Sequence, residues 1–332
     1  MKNIIGANHP PPMPEVKFIT VDPDDAGQRL DNFLMRHLKG VPKTHVYRII
    51  RSGEVRVNKG RAAADTRIAG GDVVRLPPTR ISERVAEKAE AMASAPAPAR
   101  EFPVLLEDEH LLAIDKPAGV AVHGGSGVSF GVIEQLRMAR PKAPFLELVH
   151  RLDRETSGIL LLAKKRSALK NLQDQFRERE TGKTYLALVL GHWPVNKKVL
   201  DKSLHKYLLA NGERRVKVVA RDDPDGMRSL TLVKVAQHFA GFSLLEVTIK
   251  TGRTHQIRVH LASEGFPIAG DDKYGDFEAN KALVKQGLKR MFLHAWRLQL
   301  SHPASGASVE LNAALPSELQ SFISTQSDSS SP

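Results

Sequence analysis

The densest grouping of reactive side chains in this sequence is His150-Arg151-Leu152-Asp153-Arg154-Glu155-Thr156-Ser157-Gly158. It lies between two apolar runs, Leu146 to Val149 and Ile159 to Ala163, that read as strands, so charge crowds a strand-to-strand connection. Asp153, flanked by Arg151 and Arg154, is expected to stay ionised, because nearby positive charge favours the charged form and opposes burial. It then suits a nucleophile or a general base. The same residues also make a structural ion pair or an aspartate-stabilised turn, and composition alone leaves these readings open. A second grouping, Thr251-Gly-Arg-Thr-His-Gln-Ile-Arg-Val-His260, holds two arginines and two histidines. The five-residue spacing of His255 and His260 lacks the i,i+4 register of a zinc helix, and no glutamate accompanies them, so no metal is expected. Gly124, Gly125, Gly127 and Gly131 imitate a phosphate cradle, but the Lys-Ser/Thr of a P-loop is missing. No dinucleotide fingerprint follows the strand after Gly158 either, which argues against a nucleotide-dependent enzyme.

The elements that must position these groups are legible in outline. Leu111 to Ile114, Tyr185 to Leu190, Leu230 to Val235 and Phe242 to Ile249 read as further strands, and Ala240-Gly241 as a hairpin between the last two. Val132 to Arg140, Ser167 to Glu180 and Thr254 to Ser263 have helical length and periodicity. The region from 101 to 323 is thus expected to be one α+β domain built on a sheet. Ahead of it, residues 16–76 read as a separate small domain. Leu30, Phe33, Leu34 and Leu38, then Val46, Tyr47, Ile49 and Ile50, form two short amphipathic helices. Gly53 caps the second helix, Val55 to Val57 alternate as a strand, Asn58-Lys59-Gly60 form a hairpin turn, and Asp72 to Leu76 close the sheet. Residues 77–100, ending in Ala-Pro-Ala-Pro-Ala, read as a linker, residues 1–15 as a flexible start, and 324–332 as a disordered serine-rich tail.

Composition narrows the function class. The 332 residues include no cysteine, which removes disulfides, thiolate nucleophiles and cysteine-ligated zinc. No apolar run approaches a bilayer span and none of the start resembles a signal peptide, so a soluble protein, without a membrane partner and cytoplasmic, is expected. The net charge of +12 favours a polyanionic partner. Between Gln28 and Leu76, eleven Lys or Arg stand against four Asp or Glu, so more than half of that excess sits in the small domain. Its apolar helix faces are needed for a core, which leaves Arg48 and Arg51 outward, with Lys43 and Arg29 nearby and Lys59 at the turn. Those five are the candidate RNA contacts of that domain. A merely solvated basic face is the plainer alternative.

The run HRLDRETSG resembles the catalytic motif of the RluA family of pseudouridine synthases. Leu112 to Val120, Lys183-Thr184-Tyr185 and Thr251 to His260 resemble further motifs of that family, in the same order and with suitable spacing. The basic first domain resembles the S4 RNA-binding module. The resemblance covers roughly residues 16 to 320. It implies a mixed, largely antiparallel sheet with flanking helices, preceded by a small S4-type, αL-like domain, and an isomerase that converts uridine to pseudouridine in RNA with no cofactor. Carried over by position, Asp153 is the catalytic carboxylate. Arg151 is the wedge that fills the place of the extruded base. Tyr185 is the active-site tyrosine, though a strand aromatic in the core is its plainer reading. Arg258, with Arg253 as runner-up, pairs with the aspartate; if the helix starts near Thr254, Ile257 and Leu261 form its buried ridge and leave Arg258 free to face a cleft. His255 and His260 are then structural or RNA-contacting, and Asp115, Lys116 and Pro117 brace the catalytic loop. Gln28 to Phe33, Gly40 to Lys43 and Val122 to Gly131 are similar to the RluC branch, whose substrate is 23S ribosomal RNA of the large subunit. The resemblance therefore implies rRNA, free or in an assembling large subunit, as partner, and a monomer as the working form. A noncatalytic S4-type ribosome-assembly factor is the rival class, separable by whether Asp153→Asn changes any activity.

Overall fold

The computed structural model describes residues 16–38, 41, 43–78, 97–124, 130–209 and 213–326, with backbone alone for Asp24 and Lys43. The expected flexible start, residues 79–96 of the expected linker, and residues 327–332 of the expected tail lie outside the described residues. The chain divides into two compact units, Met1–Pro96 and Ala97–Pro332.

The first unit contains β1 (Lys17–Thr20), α1 (Leu30–His37), α2 (Lys43–Arg51), β2 (Arg56–Val57) and β3 (Val73–Leu76). The strands pair antiparallel in the order β1-β3-β2. Leu30, Phe33 and Leu34 from α1 meet Val46, Ile49 and Ile50 from α2 in one core, as their helical spacing predicts. Tyr47 departs from that expectation. It is exposed, and its hydroxyl donates to Asp31 Oδ2 at 3.2 Å, because its position on the helix points away from Val46 and Ile49. After β2, Asn58 and Lys59 both adopt positive φ (48° and 68°), and Val57 and Gly60 exchange backbone hydrogen bonds; this is the two-residue hairpin turn whose twist suits the strands.

The second unit is a mixed sheet. Its strands are β4 (Val104–Glu107), β5 (Leu111–Lys116), β6 (Glu147–Leu148), β7 (Ser157–Ala163), β8 (Gly182–Leu190), β9 (Val199–Leu208), β10 (Arg214–Val219), β11 (Met227–Phe239), β12 (Phe242–Ile249), β13 (Leu293–Ser301) and β14 (Ser308–Asn312). Its helices are α3 (Val132–Ala139), α4 (Arg166–Glu178), α5 (Gln256–Ser263), α6 (Phe277–Lys285) and α7 (Ser317–Ser324). The order across the sheet is β10-β9-β11-β12-β8-β13-β7-β5-β4, with β14 on β13 and β6 on β7. The β13–β7 pair is parallel and every other pair antiparallel. Burial explains the reading of each strand. β7 is buried at all seven positions, as a strand covered on both faces must be, while β12 alternates half-buried and buried residues. α4 turns Ala168, Leu172 and Gln175 inward, and Gln175 fastens to the end of β13 by exchanging hydrogen bonds with the Ser301 backbone.

At both ends of the second unit, order extends past the expected limits. Ala97 is buried and the Arg100 N–H donates to Gln135 O, so the last residues of the expected linker pack here. Residues 324–326 of the expected tail close α7 through backbone bonds from Thr325 and Gln326. Gly158 shows why the Ser-Gly of the charged motif is needed. Its φ is +105°, and a β-carbon there would lie 2.2 Å from Ala295 O on β13.

Candidate active site

The connection between β6 and β7 presents Asp153 to a cleft of about 990 Å³. Among the described residues, the lining contains nine lysines or arginines and a single acid, Asp153 itself, a distribution that suits a polyanion threaded past one carboxylate. Lys116 anchors the connection from below. Its buried ammonium donates to Pro117 O (2.8 Å), Val120 O (2.8 Å) and Arg154 O (3.1 Å), and the Gly119 N–H reaches the same Arg154 carbonyl. Burial pushes the Lys116 pKa down to about 7, while the three carbonyl acceptors favour the ammonium form. On the far side, Arg290 donates to Ser157 Oγ at 2.7 Å, and that hydroxyl lies 2.9 Å from His294 Nδ1.

The cation at Asp153 is Arg258, not the flanking arginines. Arg258 Nη1 lies 3.3 Å from Asp153 Oδ2. Arg154 instead pairs with Glu155 at 2.7 Å, and Arg151 is exposed in the cleft with no partner among the described residues, since residues adjacent in an open loop project in different directions. Arg258 is held from behind by a two-pronged ion pair with Asp271, Nε to Oδ2 at 2.8 Å and Nη2 to Oδ1 at 2.7 Å. Both side chains are buried, at 3% and 1% exposure. Burial alone would raise the Asp271 carboxyl and lower the Arg258 guanidinium; their mutual hydrogen bonds and charges more than reverse both.

α5 begins at Gln256 rather than near Thr254, yet Ile257 and Leu261 are buried as predicted and Arg258 reaches the aspartate. Arg253 lines the cleft with its Nε buried and unpartnered, and it does not pair with Asp153. Tyr185, on β8, packs against two hydrophobic clusters, as its plainer reading expects, and also lines the cleft. Its hydroxyl has no hydrogen-bond partner among the described residues. Burial, reinforced by the charge of Asp153, raises its pKa above the usual phenol range.

Sequence reasoning missed Asp271 and Tyr274 and placed His255 only loosely. His255 Nδ1 lies 2.8 Å from Tyr274 Oη, and His255 Nε2 lies 3.9 Å from Asp153 Oδ2. The signal available was Gly270-Asp-Asp-Lys-Tyr-Gly275, a polar run between two glycines. Among the described residues, one grouping has metal-ligand potential: His205, Asp223 and Asp225, with candidate ligand atoms within 4.8 Å of one another. None of the three borders the Asp153 cleft.

Comparison with known proteins places this geometry. A model for RNA pseudouridylate synthase matches residues 110–263 and an S4 domain model matches residues 28–74. The chain is 50% identical over 307 residues to the Yersinia pestis protein named "Ribosomal large subunit pseudouridine synthase C", covering 92% of this chain and 94% of that one. The chain belongs to the RNA pseudouridylate synthase family. A Haemophilus influenzae protein of the same name is 49% identical over 311 residues, covering 93% of this chain and 94% of its own. Human RNA Pseudouridylate Synthase Domain Containing 1 superposes with a TM-score of 0.58 and 26% identity, over 70% of this chain and 91% of that one. The fold class expected of a synthase with an S4 domain, a mixed, mainly antiparallel sheet with flanking helices preceded in sequence by a small separate unit, is the one observed.

Within the S4 unit the five expected cations are not equivalent. Arg29 is committed to Asp31 through Nε at 3.1 Å and Nη2 at 2.7 Å. Arg48 lies 3.4 Å from Glu54, and Arg51 reaches the Tyr47 carbonyl at 3.4 Å; both are exposed. Lys59 is exposed at the tip of the hairpin. The side chain of Lys43 lies outside the described residues. Among the described residues, no helix is long and apolar enough to cross a membrane.

Proposed function

We propose that this synthase converts specific uridines of 23S ribosomal RNA to pseudouridine, with Asp153 as the catalytic carboxylate. The observation that carries the reading is the placement of Asp153: among the described residues, one acid in a cleft lined by nine cations, held by Arg258, which Asp271 fixes in turn. The names of the Yersinia and Haemophilus relatives support the large-subunit substrate. The reaction is a rearrangement. The bond from C1′ to N1 breaks, the uracil turns, a bond from C1′ to C5 forms, C5 loses its proton and N1 gains one.

Each side chain has a role that its surroundings permit. A base inside folded RNA must leave its stack, at a cost of a few kcal/mol, and the unpartnered guanidinium of Arg151 is free to fill the vacancy and hold phosphate. Tyr185 offers a ring face for the extruded uracil and an unengaged hydroxyl beside it. Asp153 Oδ2 faces Arg258, while Oδ1 has no partner among the described residues and is the oxygen open to the nucleotide. The S4 unit, through Arg48, Arg51 and Lys59, grips flanking phosphates. The working form we propose is a monomer located in the cytoplasm, where it meets rRNA, free or in an assembling subunit.

Tritium release from 5-tritiated uridine in a 23S rRNA transcript tests this directly, because bond formation at C5 expels that hydrogen. The wild type releases tritium and Asp153→Asn does not, while RNA affinity changes by less than about threefold. Equal release by both proteins would remove Asp153 from the chemistry. Silence of both on rRNA, tRNA and assembling particles would favour the noncatalytic RNA-binding class.

A further inference from the structure

Arg258 approaches one oxygen of Asp153, and a second donor is aimed at the same oxygen. His255 sits immediately before α5 in the left-handed region, φ +53° and ψ 20°, a conformation that costs a residue with a β-carbon about 1 kcal/mol and that asparagine or glycine would adopt more easily. Nothing in capping the helix requires a histidine there, since its side chain makes no cap hydrogen bond. What the strained backbone achieves is to set the ring between Tyr274 and Asp153, edge-on to the tyrosine with ring centroids 5.5 Å apart.

The groups facing its two nitrogens favour one tautomer of that ring. The Val216 N–H donates to Tyr274 Oη at 3.0 Å. The hydroxyl keeps its own proton for His255 Nδ1, 2.8 Å away, in the tautomer that turns an N–H rather than a lone pair toward the Asp153 carboxylate beyond Nε2. A neutral imidazole that accepts at Nδ1 carries its proton on Nε2. That nitrogen is 3.9 Å from Asp153 Oδ2, one small side-chain adjustment from a hydrogen bond.

We propose that His255 is a positioning residue for the isomerisation: oriented by the Tyr274 hydroxyl, it supplies the second donor to Asp153 Oδ2, and together with Arg258 it turns Oδ1 toward the nucleotide. The proposal rests on the synthase reading and adds to it the residues that aim the carboxylate. The charged and titratable groups facing the ring are Asp153 from the catalytic loop, Arg258 from its own helix, and Asp271, Lys273 and Tyr274 from the following loop. Burial pushes the His255 pKa below its ordinary value, as a neutral donor requires; Asp153 opposes that shift, and Arg258 and Lys273 reinforce it. Burial also pushes the Tyr274 phenol up to about 12, so the hydroxyl keeps its proton.

The test is tritium release from 5-tritiated 23S rRNA transcript by the full chain, with kcat and KM resolved, for wild type, Asp153→Asn, His255→Leu, His255→Gln and Tyr274→Phe. His255→Leu, which removes the donor, lowers kcat by roughly 100-fold and leaves KM within about threefold, since a misaimed catalytic group costs that much. His255→Gln, whose amide N–H reaches the same place, recovers about tenfold of the loss. Tyr274→Phe removes the hydroxyl that holds the proton on Nε2, so the neutral imidazole divides between its two tautomers and the rate falls at neutral pH, then recovers as acid protonates the ring and places a proton on both nitrogens, while the wild-type rate shows no such recovery. A His255→Leu rate within threefold of wild type, a glutamine variant no better than leucine, or a Tyr274→Phe pH profile identical to wild type would each overturn the positioning role. A wild type that releases no tritium would overturn the underlying activity instead, and the positioning role with it. Melting curves accompany each variant, and the pH arm decides between the roles because loss of fold alone does not install an imidazole titration.

Discussion

Replacing Asp271 by asparagine isolates the support behind the catalytic pair. The substitution keeps size and shape but removes the charge opposing Arg258 and replaces one acceptor oxygen with an amide donor. Asp271 Oδ1 also receives the Lys273 and Tyr274 N–H groups, at 2.8 and 3.0 Å, so one turn of the amide fails Arg258 and the other fails the backbone. Arg258 would be left with Asp153 at 3.3 Å and Asp272 at 3.4 Å, both longer than the bonds it loses. Removing one member of a buried ion pair costs about 3–5 kcal/mol. For a unit of this size, each kcal/mol moves the melting point by roughly 2–4 °C, so a fall on the order of 10 °C is expected. Tritium release drops roughly 100-fold, because the guanidinium is no longer fixed from behind. Calorimetric melts of the full chain from about pH 7 to pH 3 supply the check. The folded-state pKa of Asp271 is lowered, so its contribution to stability is complete above the ordinary aspartate pKa of about 3.9 and is lost as pH falls through the lower folded value. The gap between wild type and variant therefore narrows only below about pH 4. A melting point within about 2 °C of wild type at neutral pH would falsify the claim that this pair supports the site.

Other perturbations separate binding, folding and chemistry. Arg151→Ala touches no partner, so it leaves the melting point within about 1 °C while reducing tritium release by at least about tenfold; unchanged turnover would remove Arg151 from base extrusion. Gly158→Ala combines the strained φ of +105° with a 2.2 Å collision against Ala295 O. It is expected to cost more than about 3 kcal/mol in a denaturant titration, and a wild-type midpoint would show that β7 and β13 separate freely. Removing residues 16–76 is expected to weaken RNA binding and to flatten its dependence on salt by about 0.9 in log-log slope for each phosphate no longer neutralised. An unchanged slope would show that the basic S4 unit does not touch the phosphates.

Local patterns in the sequence carried much of this arrangement, and distant pairings carried the rest. The charged connection between β6 and β7 was legible because Leu146 to Val149 and Ile159 to Ala163 bracket it so sharply. The pairing of Arg258 with Asp153 came from the resemblance to the synthase motif, and periodicity served only to prefer Arg258 over Arg253, since α5 is buried on every side from Gln256 to Leu261. Adjacency misled where it was taken for proximity: Arg154 stands next to Asp153 in sequence but spends its charge on Glu155. The Asp271 and Tyr274 supports were hidden because each acts through a residue on another element, and an aspartate or tyrosine in a loop gives no periodic signal. β9 and β10 were missed for the opposite reason. They form an edge hairpin where Lys202, His205, Lys206, Arg214, Arg215 and Lys217 interrupt the apolar alternation. β13 was concealed by His294, Trp296 and Arg297, although His294 is fully buried, lying 2.9 Å from Ser157 Oγ and 3.1 Å from the Ala313 carbonyl.

β13 lies between β8 and β7, with Ala295 opposite both Tyr185 and Gly158. The strand that brings the tyrosine and the aspartate together thus lies far beyond both of them in the sequence. A chain growing on a ribosome holds Asp153 and Tyr185 long before the piece that joins their strands exists, and the two halves of the sheet meet only when residues 293–301 have emerged.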